Sequence, residues 1–270
     1  MPRRILFYGA LVALMTAVLF PLYWVVVTSL KSSRDAFAIP PVWLFEPTLD
    51  NYRKILANQT FLNAFANSCL TSIVSSAIAV AIGCLAAYGL AAQEPAYLRA
   101  QEKFILSLRI APALLFVIPV YFLATKIGAL NQHWLLISVY AFVNIPFAIS
   151  LLVTFFNDIP RELRDAARVD GAREFTVFRK VFLPAARGGI AATMILCVLF
   201  TWNEFFVALM LTGRNTQTLP VSITSFLTFQ GIQWGALTAA GSVIMLPMIV
   251  LGLLVQGQIV RGLTLGSVKG

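Results

Sequence analysis

Charge is scarce in this sequence. Asp, Glu, Lys and Arg together make up 11% of its 270 residues and hydrophobic residues 59%, with a mean hydropathy of +0.84. Soluble domains carry about 25% charged residues, so an ordinary water-facing fold is excluded and bilayer is the natural solvent. The single histidine, His133, excludes a histidine-based metal site. The three cysteines, Cys69, Cys84 and Cys197, all fall inside apolar stretches. Their spacing fits neither a disulfide framework nor a metal site, and they read as small core residues. Paired acids at catalytic spacing, a Ser/His pair and a glycine-rich phosphate cradle are all missing, which removes the usual machinery of a membrane enzyme. One acid inside the apolar spans and no internal repeat also argue against an ion-coupled secondary transporter.

Six apolar stretches approach the roughly 20 residues that a membrane crossing needs: Ile5–Leu30, Leu62–Ala92, Phe104–Thr125, Trp134–Phe156, Gly188–Leu211 and Ala236–Val260. The first follows a short basic start as a signal peptide would, but it runs long and lacks a small-residue cleavage site, so a retained helix is expected. The second is long enough to tilt or to begin in the outer interface. Strand patterns are essentially absent. The expected class is all-α, a polytopic bundle of six transmembrane helices forming one domain over residues 1–270.

Net charge is +9, and its distribution orients the chain. With the N-terminus in the cytoplasm, the inner side holds Arg3, Arg4, Arg99, Lys103, Arg109, the seven basic residues from Arg161 to Arg187, Arg261 and Lys269. The outer side holds only Lys31, Arg34, Arg53, Lys54, Lys126 and Arg214. The positive-inside rule therefore places both termini in the cytoplasm. Trp43, Trp134 and Trp234 then lie near the outer boundary, where indole rings concentrate. Basic residues set between spans suit this arrangement better than a nucleic-acid surface. His133 becomes a polar residue of a short external loop, and Arg109 snorkels to the inner interface.

Two loops exceed simple connectors: an external one at about 31–61 and a cytoplasmic one at about 157–187. In the second, Asn157-Asp-Ile-Pro160 is a helix start signal, and Arg161 to Val169 reads as a short helix. Asp170-Gly171 breaks it, because glycine takes positive φ without a steric cost. Glu174 to Phe182 reads as a second helix with Phe175, Phe178 and Phe182 on one face, and Pro184 closes the motif. Such a hairpin is either an amphipathic loop lying on the headgroups or a rigid knob that enters a groove on another protein.

The residues from Glu162 through Asp165-Ala166-Ala167, Asp170-Gly171-Ala172 and Leu183-Pro184 resemble the EAA loop of type I ABC importer permeases. In that family this loop is the coupling helix seated in a cleft of the ATPase subunit. Asp165 stands where the motif usually has Glu, one methylene shorter. Thr28-Ser-Leu-Lys31, Pro41-Val-Trp43, Thr48-Leu-Asp-Asn51-Tyr52 and Trp202-Asn203-Glu204-Phe205 are similar to stretches of the carbohydrate-uptake branch. The tail from Gly262, Leu263 and Thr264 through Gly266 to Lys269 resembles that of the maltose-permease G subunit family, which inserts between two ATPase subunits.

The resemblance implies a permease subunit without an ATPase site of its own, in a bacterial inner (plasma) membrane. Its implied partners are a second homologous permease, two ATP-binding subunits that hold ATP and Mg, an external solute-binding protein, a carbohydrate-like solute and membrane lipid, with no nucleic acid. On this reading Glu162, Asp165, Ala166, Ala167, Asp170, Gly171, Ala172, Phe175, Phe178, Leu183 and Pro184 couple to the ATPase. Gly262, Leu263, Thr264, Gly266 and Lys269 contact it through the tail.

Within the spans, an acid should face a cavity, a partner helix or a backbone donor. Glu204 is the one acid placed well inside, with Trp202 and Asn203 before it. These three and Asn144 either line a translocation pathway or fix helix packing through interhelical hydrogen bonds. Asn144 precedes Pro146, a kink site. Pro112, Pro119 and Pro247 invite the same structural reading.

Overall fold

The computed structural model describes residues 2–91, 100, 101, 104, 105, 107, 113–229 and 231–265. The chain is overwhelmingly helical, as expected of backbone that finds no water to satisfy its polar groups in hydrocarbon. Among the described residues, four helices are long and apolar enough to cross a membrane: Pro2–Ser29, Gln59–Ala91, His133–Asn157 and Trp234–Leu265. A fifth crossing is counted at Arg187–Trp202, which follows Glu174–Ala185 across a 76° bend. The helix Ala113–Lys126 is shorter and covers most of the expected third span. The remainder of that span lies largely outside the described residues, as do Arg99, Lys103, Arg109 and Pro112.

Two expectations need correcting. The fifth span is not one helix over Gly188–Leu211: it runs as Arg187–Trp202 and, after a break, Phe206–Leu211. Strand is also present, in a minimal hairpin pairing Leu227 with Ile232 and Thr228 with Gly231. Gly231 has φ +115°, a turn conformation open to glycine, and this two-residue ladder leaves the all-α class intact.

The chain divides into two contact units. The first comprises Met1–Leu62 and Ser222–Met248. There the first long helix is tied to the polar loop that follows it. The Asn51 amide, on the short helix Asp50–Ala57, donates to the carbonyls of Ser29 at 2.9 Å and Lys31 at 2.8 Å, and the Ser29 hydroxyl meets the Tyr52 hydroxyl at 2.7 Å. Lys31 is only 2% exposed, its ammonium lying 4.6 Å from the Trp24 ring centre and 5.2 Å from that of Phe45. Aromatic faces attract a desolvated cation by up to about 2 kcal/mol, which offsets part of its burial cost.

The second unit comprises Asn63–Val221 and Ile249–Gly270. Gln59–Ala91 turns a strip of small residues inward (Ser68, Thr71, Ser72, Ser75, Ser76 and Ala79 are all buried). Small side chains let helix backbones approach closely, which is what drives association in lipid. At Gly83 a Cβ would sit 3.0 Å from the Ala148 Cβ of His133–Asn157. Several of the strip's hydroxyls return to carbonyls of their own helix, as Ser72 does to Ser68 at 2.6 Å, whereas the buried Ser76 hydroxyl has no hydrogen-bond partner among the described residues. His133–Asn157 packs along Arg187–Trp202, and Leu152, Val153, Phe156 and Cys197 of these two helices are fully buried in one core with Val177 of the segment Glu174–Val177.

One end of this unit is fastened by asparagines. Asn67 donates to the carbonyls of Asn215 and Gln217, and its Oδ1 pairs with His133 Nε2 at 2.8 Å. His133 is thus the first residue of a helix and holds Asn67, where a loop position was expected.

Candidate functional site

The hairpin after His133–Asn157 is built largely as its sequence dictates. Its first helix spans Arg161–Val169. Gly171 follows at φ +81°, and the Asp170 and Ala172 amides donate to the carbonyls of Ala166 and Ala167, each at 3.0 Å. A glycine just past the last turn satisfies the orphan carbonyls of a helix end in this way. The return segment is more irregular than a single helix from Glu174 to Phe182. It begins as Glu174–Val177, widens into a π-helical turn over Phe178–Phe182, and ends as Leu183–Ala185. Pro184 lies inside this last turn; the chain bends at Ala186, the junction with Arg187–Trp202.

The first helix has two distinct faces. Glu162, Asp165, Ala166 and Val169, at i, i+3, i+4 and i+7, are all exposed, and these spacings share one side of a helix. Val169 is 88% exposed and Phe175, on the return segment, 67%. Asp170 and Gly171 are exposed at the tip, while Ala167 and Ala172 are half-buried against the core. The aromatic stripe differs in exposure along its length. Phe175 points outward, whereas Phe178 and Phe182 are buried against Tyr88, with ring centres 5.2 and 4.9 Å away, and Phe182 also meets Phe156. The π-turn keeps Phe178 and Phe182 together on the Tyr88 ring, and the Phe175 ring still lies 6.2 Å from that of Phe178. Leu183 is half-buried and Pro184 exposed.

Behind the hairpin, one carboxylate gathers three donors. Glu174 Oε2 accepts from the Tyr88 hydroxyl at 2.6 Å and from Arg164 at 3.2 Å, while Oε1 accepts from Arg168 Nε at 2.6 Å. Tyr88 is near the end of Gln59–Ala91; Glu174 belongs to the hairpin, outside the spans. The Tyr88 hydroxyl foremost, with the Arg168 guanidinium, holds the Glu174 carboxyl at about 2, below its ordinary 4.5. Both favour the ionised form. Sequence alone does not bring these groups together, because residues 88 and 174 are 86 positions apart.

The second constellation forms at the break in the fifth span. Glu204 is half-buried and turns back on the next helix, its oxygens accepting from the Val207 amide at 2.9 and 3.0 Å and the Ala208 amide at 3.2 Å. The Tyr140 hydroxyl donates to the same carboxylate at 3.2 Å. These amides would otherwise be unpaired at a helix start. Asn144 is buried, donating to Thr201 Oγ1 at 2.8 Å and to the Tyr140 carbonyl at 3.0 Å. Trp202 is buried edge-to-face on Phe65, with ring centres 5.8 Å apart. Asn203 is exposed and donates to the Leu199 carbonyl at 2.9 Å. Three of the four residues therefore pack the break, and Asn203 is presented at its surface.

Of the tail residues, Gly262, Leu263 and Thr264 continue the helix Trp234–Leu265, while Gly266 and Lys269 lie outside the described residues. Among the described residues no group of three or more His, Cys, Asp or Glu is placed to hold a metal.

An exposed helix–Gly–helix hairpin between apolar spans is the feature that comparison with known proteins decides. Residues 79–265 match the family described as binding-protein-dependent transport system inner membrane component. The chain belongs to that family. It is 38% identical to the probable ABC transporter permease protein y4oR of Sinorhizobium fredii, across 93% of this chain and 90% of that one. It is 34% identical to the trehalose transport system permease protein SugB of Mycobacterium tuberculosis, across 99% of both. A bacterial ABC transporter involved in the import of the acidic polysaccharide alginate shares its fold, with TM-score 0.78 and 19% identity over 94% of this chain and 95% of that one. The ABC permease resemblance of the sequence is thereby borne out, and the chain is a multi-pass inner-membrane protein.

Proposed function

We propose that the chain is one of two permease subunits of an ABC importer that moves a carbohydrate-like solute into the cytoplasm by alternating access. It crosses the membrane six times with both ends in the cytoplasm. The Ala113–Lys126 region and the two-part fifth span each count as a crossing beside the four long helices. Its partners are a second, homologous permease, two ATP-binding subunits and an external solute-binding protein. ATP and Mg are held by the ATP-binding subunits, and no residue of this chain is catalytic or binds metal.

The carrying observation is the hairpin: a short helix with an exposed face, a glycine-permitted reversal and a buried return, in a chain of this family. Glu162, Asp165, Ala166 and Val169 face the ATPase cleft together with Asp170, Gly171 and Phe175. Ala167, Ala172, Phe178, Leu183 and Pro184 fix the hairpin to its own bundle. When ATP closes the ATPase pair, the hairpin moves with it and the bend at Ala186 passes that motion into Arg187–Trp202. The tail from Gly262 to Lys269 makes a second contact with the ATPase. A solute of carbohydrate class (sugar, polyol, glycerol phosphate or acidic sugar) is supported by the trehalose permease relative. On the pathway, Asn203 meets the solute while Asn144, Trp202 and Glu204 hold the break that presents it.

The test is a pull-down of tagged chain from its native membrane, with mass spectrometry and an ATPase assay on the eluate. The reading expects an ATP-binding subunit and a second permease, with hydrolysis rising when solute-loaded binding protein is added. Recovery of the folded chain alone, without ATPase activity, contradicts it and points to a stand-alone transporter.

A further inference from the structure

Resting on the coupling reading of the hairpin, we infer that Glu174 and Tyr88 are positioning residues that lock the coupling helix to the transmembrane bundle, so that hairpin movement becomes span movement. Arg164 and Arg168, one turn apart, share the face of Arg161–Val169 opposite the exposed one. Both grip Glu174, and Glu174 in turn holds the Tyr88 hydroxyl. The Tyr88 ring is fixed beneath by Phe178 and Phe182 and lies 5.6 Å from the Arg164 guanidinium carbon. One carboxylate thus joins the coupling helix, the return segment and the long helix Gln59–Ala91.

An isolated surface ion pair contributes little, because solvent screens it and two long side chains lose freedom. This cluster differs in two respects. Tyr88 is a rigid donor already seated in a core, and the acceptor takes bonds on both oxygens from separate elements. Its value is in transmission: without it the coupling helix hangs on its two connections and slips against the bundle when the ATPase pulls. The Glu174 carboxyl stays ionised far below neutral pH, so the lock is closed throughout the physiological range.

The experiment compares complete complexes in proteoliposomes carrying Glu174→Gln, Tyr88→Phe, both changes, or Gly171→Pro, reading solute transported per ATP hydrolysed at matched complex abundance. Tyr88→Phe keeps the ring packing and removes only the hydroxyl. Each single change is expected to lower the transport ratio by about fivefold or more, the lower end of ordinary coupling energies. The double variant should match the worse single, since both break one link. If Gly171→Pro uncouples while Glu174→Gln and Tyr88→Phe keep the wild-type ratio, the lock is refuted and the coupling hairpin stands. If Gly171→Pro also keeps that ratio, the coupling reading itself fails. Variants that only reduce the amount of complex, with the ratio unchanged, show a structural role and overturn the inference.

Discussion

Tyr88 and Glu174 meet hydroxyl to carboxylate at 2.6 Å, joining a membrane helix to the loop expected to face the ATPase. That contact has a pH signature with a definite sign. The folded Glu174 carboxyl sits at about 2 against an ordinary 4.5, held down first by Tyr88 and then by Arg168. A depressed acid contributes stability that is present above the unfolded value and lost as pH falls through the folded one. The carboxylate band assigned to Glu174, by infrared difference between wild type and Glu174→Gln, should persist at pH 4. A midpoint near 4.5 would show that the contact is not made.

Adjacent glycines at the start of Arg187–Trp202 should behave oppositely. A Cβ on Gly189 would collide with the Phe155 ring, whereas one on Gly188 would meet nothing within 4 Å. Gly189→Ala should therefore cost about 1–3 kcal/mol through overpacking. Gly188→Ala should be neutral or favourable by up to about 1 kcal/mol, since alanine is the better helix former. Thermal midpoints in detergent compare the two, and equal effects would contradict the packing described.

Glu204 and Asn203 should separate stability from transport. Glu204→Ala removes the acceptor for the Val207 and Ala208 amides and should destabilise by roughly 1–2 kcal/mol, as lost caps do. Asn203→Ala, at an exposed position, should cost less than about 0.5 kcal/mol yet raise the solute concentration needed for half-maximal uptake. Uptake unaffected by Asn203→Ala would remove it from the pathway.

Much of this was legible in sequence for stated reasons. Apolar runs fix spans because hydrocarbon tolerates little else, and Arg161–Val169 was bounded by Pro160 before it and Gly171 after it. The break at Asn203–Phe205 was hidden because it contains neither Pro nor Gly. An intramembrane acid announces that it needs partners, but a cap and a pathway ligand look alike until the backbone opens beside it. Periodicity puts Phe175, Phe178 and Phe182 on one face but does not show where the bundle's cover ends, and Phe175 lies beyond it, exposed, while Phe178 is buried. The Tyr88–Glu174 contact depends on helix packing, which a single sequence does not display.

The gap between Val169 and Phe178 offers the most direct test of the central claim. Val169 is 88% exposed on the outward face, while Phe178 is 7% exposed and turned into the bundle. With Cys69, Cys84 and Cys197 replaced, single cysteines at residues 165, 169 and 178 would be probed in the native complex with a short thiol cross-linker. The account predicts cross-links from Asp165→Cys and Val169→Cys to an ATP-binding subunit, altered by ATP, and none from Phe178→Cys. Absence of any ATP-binding subunit from the products at residues 165 and 169, in complexes that still transport, would contradict it.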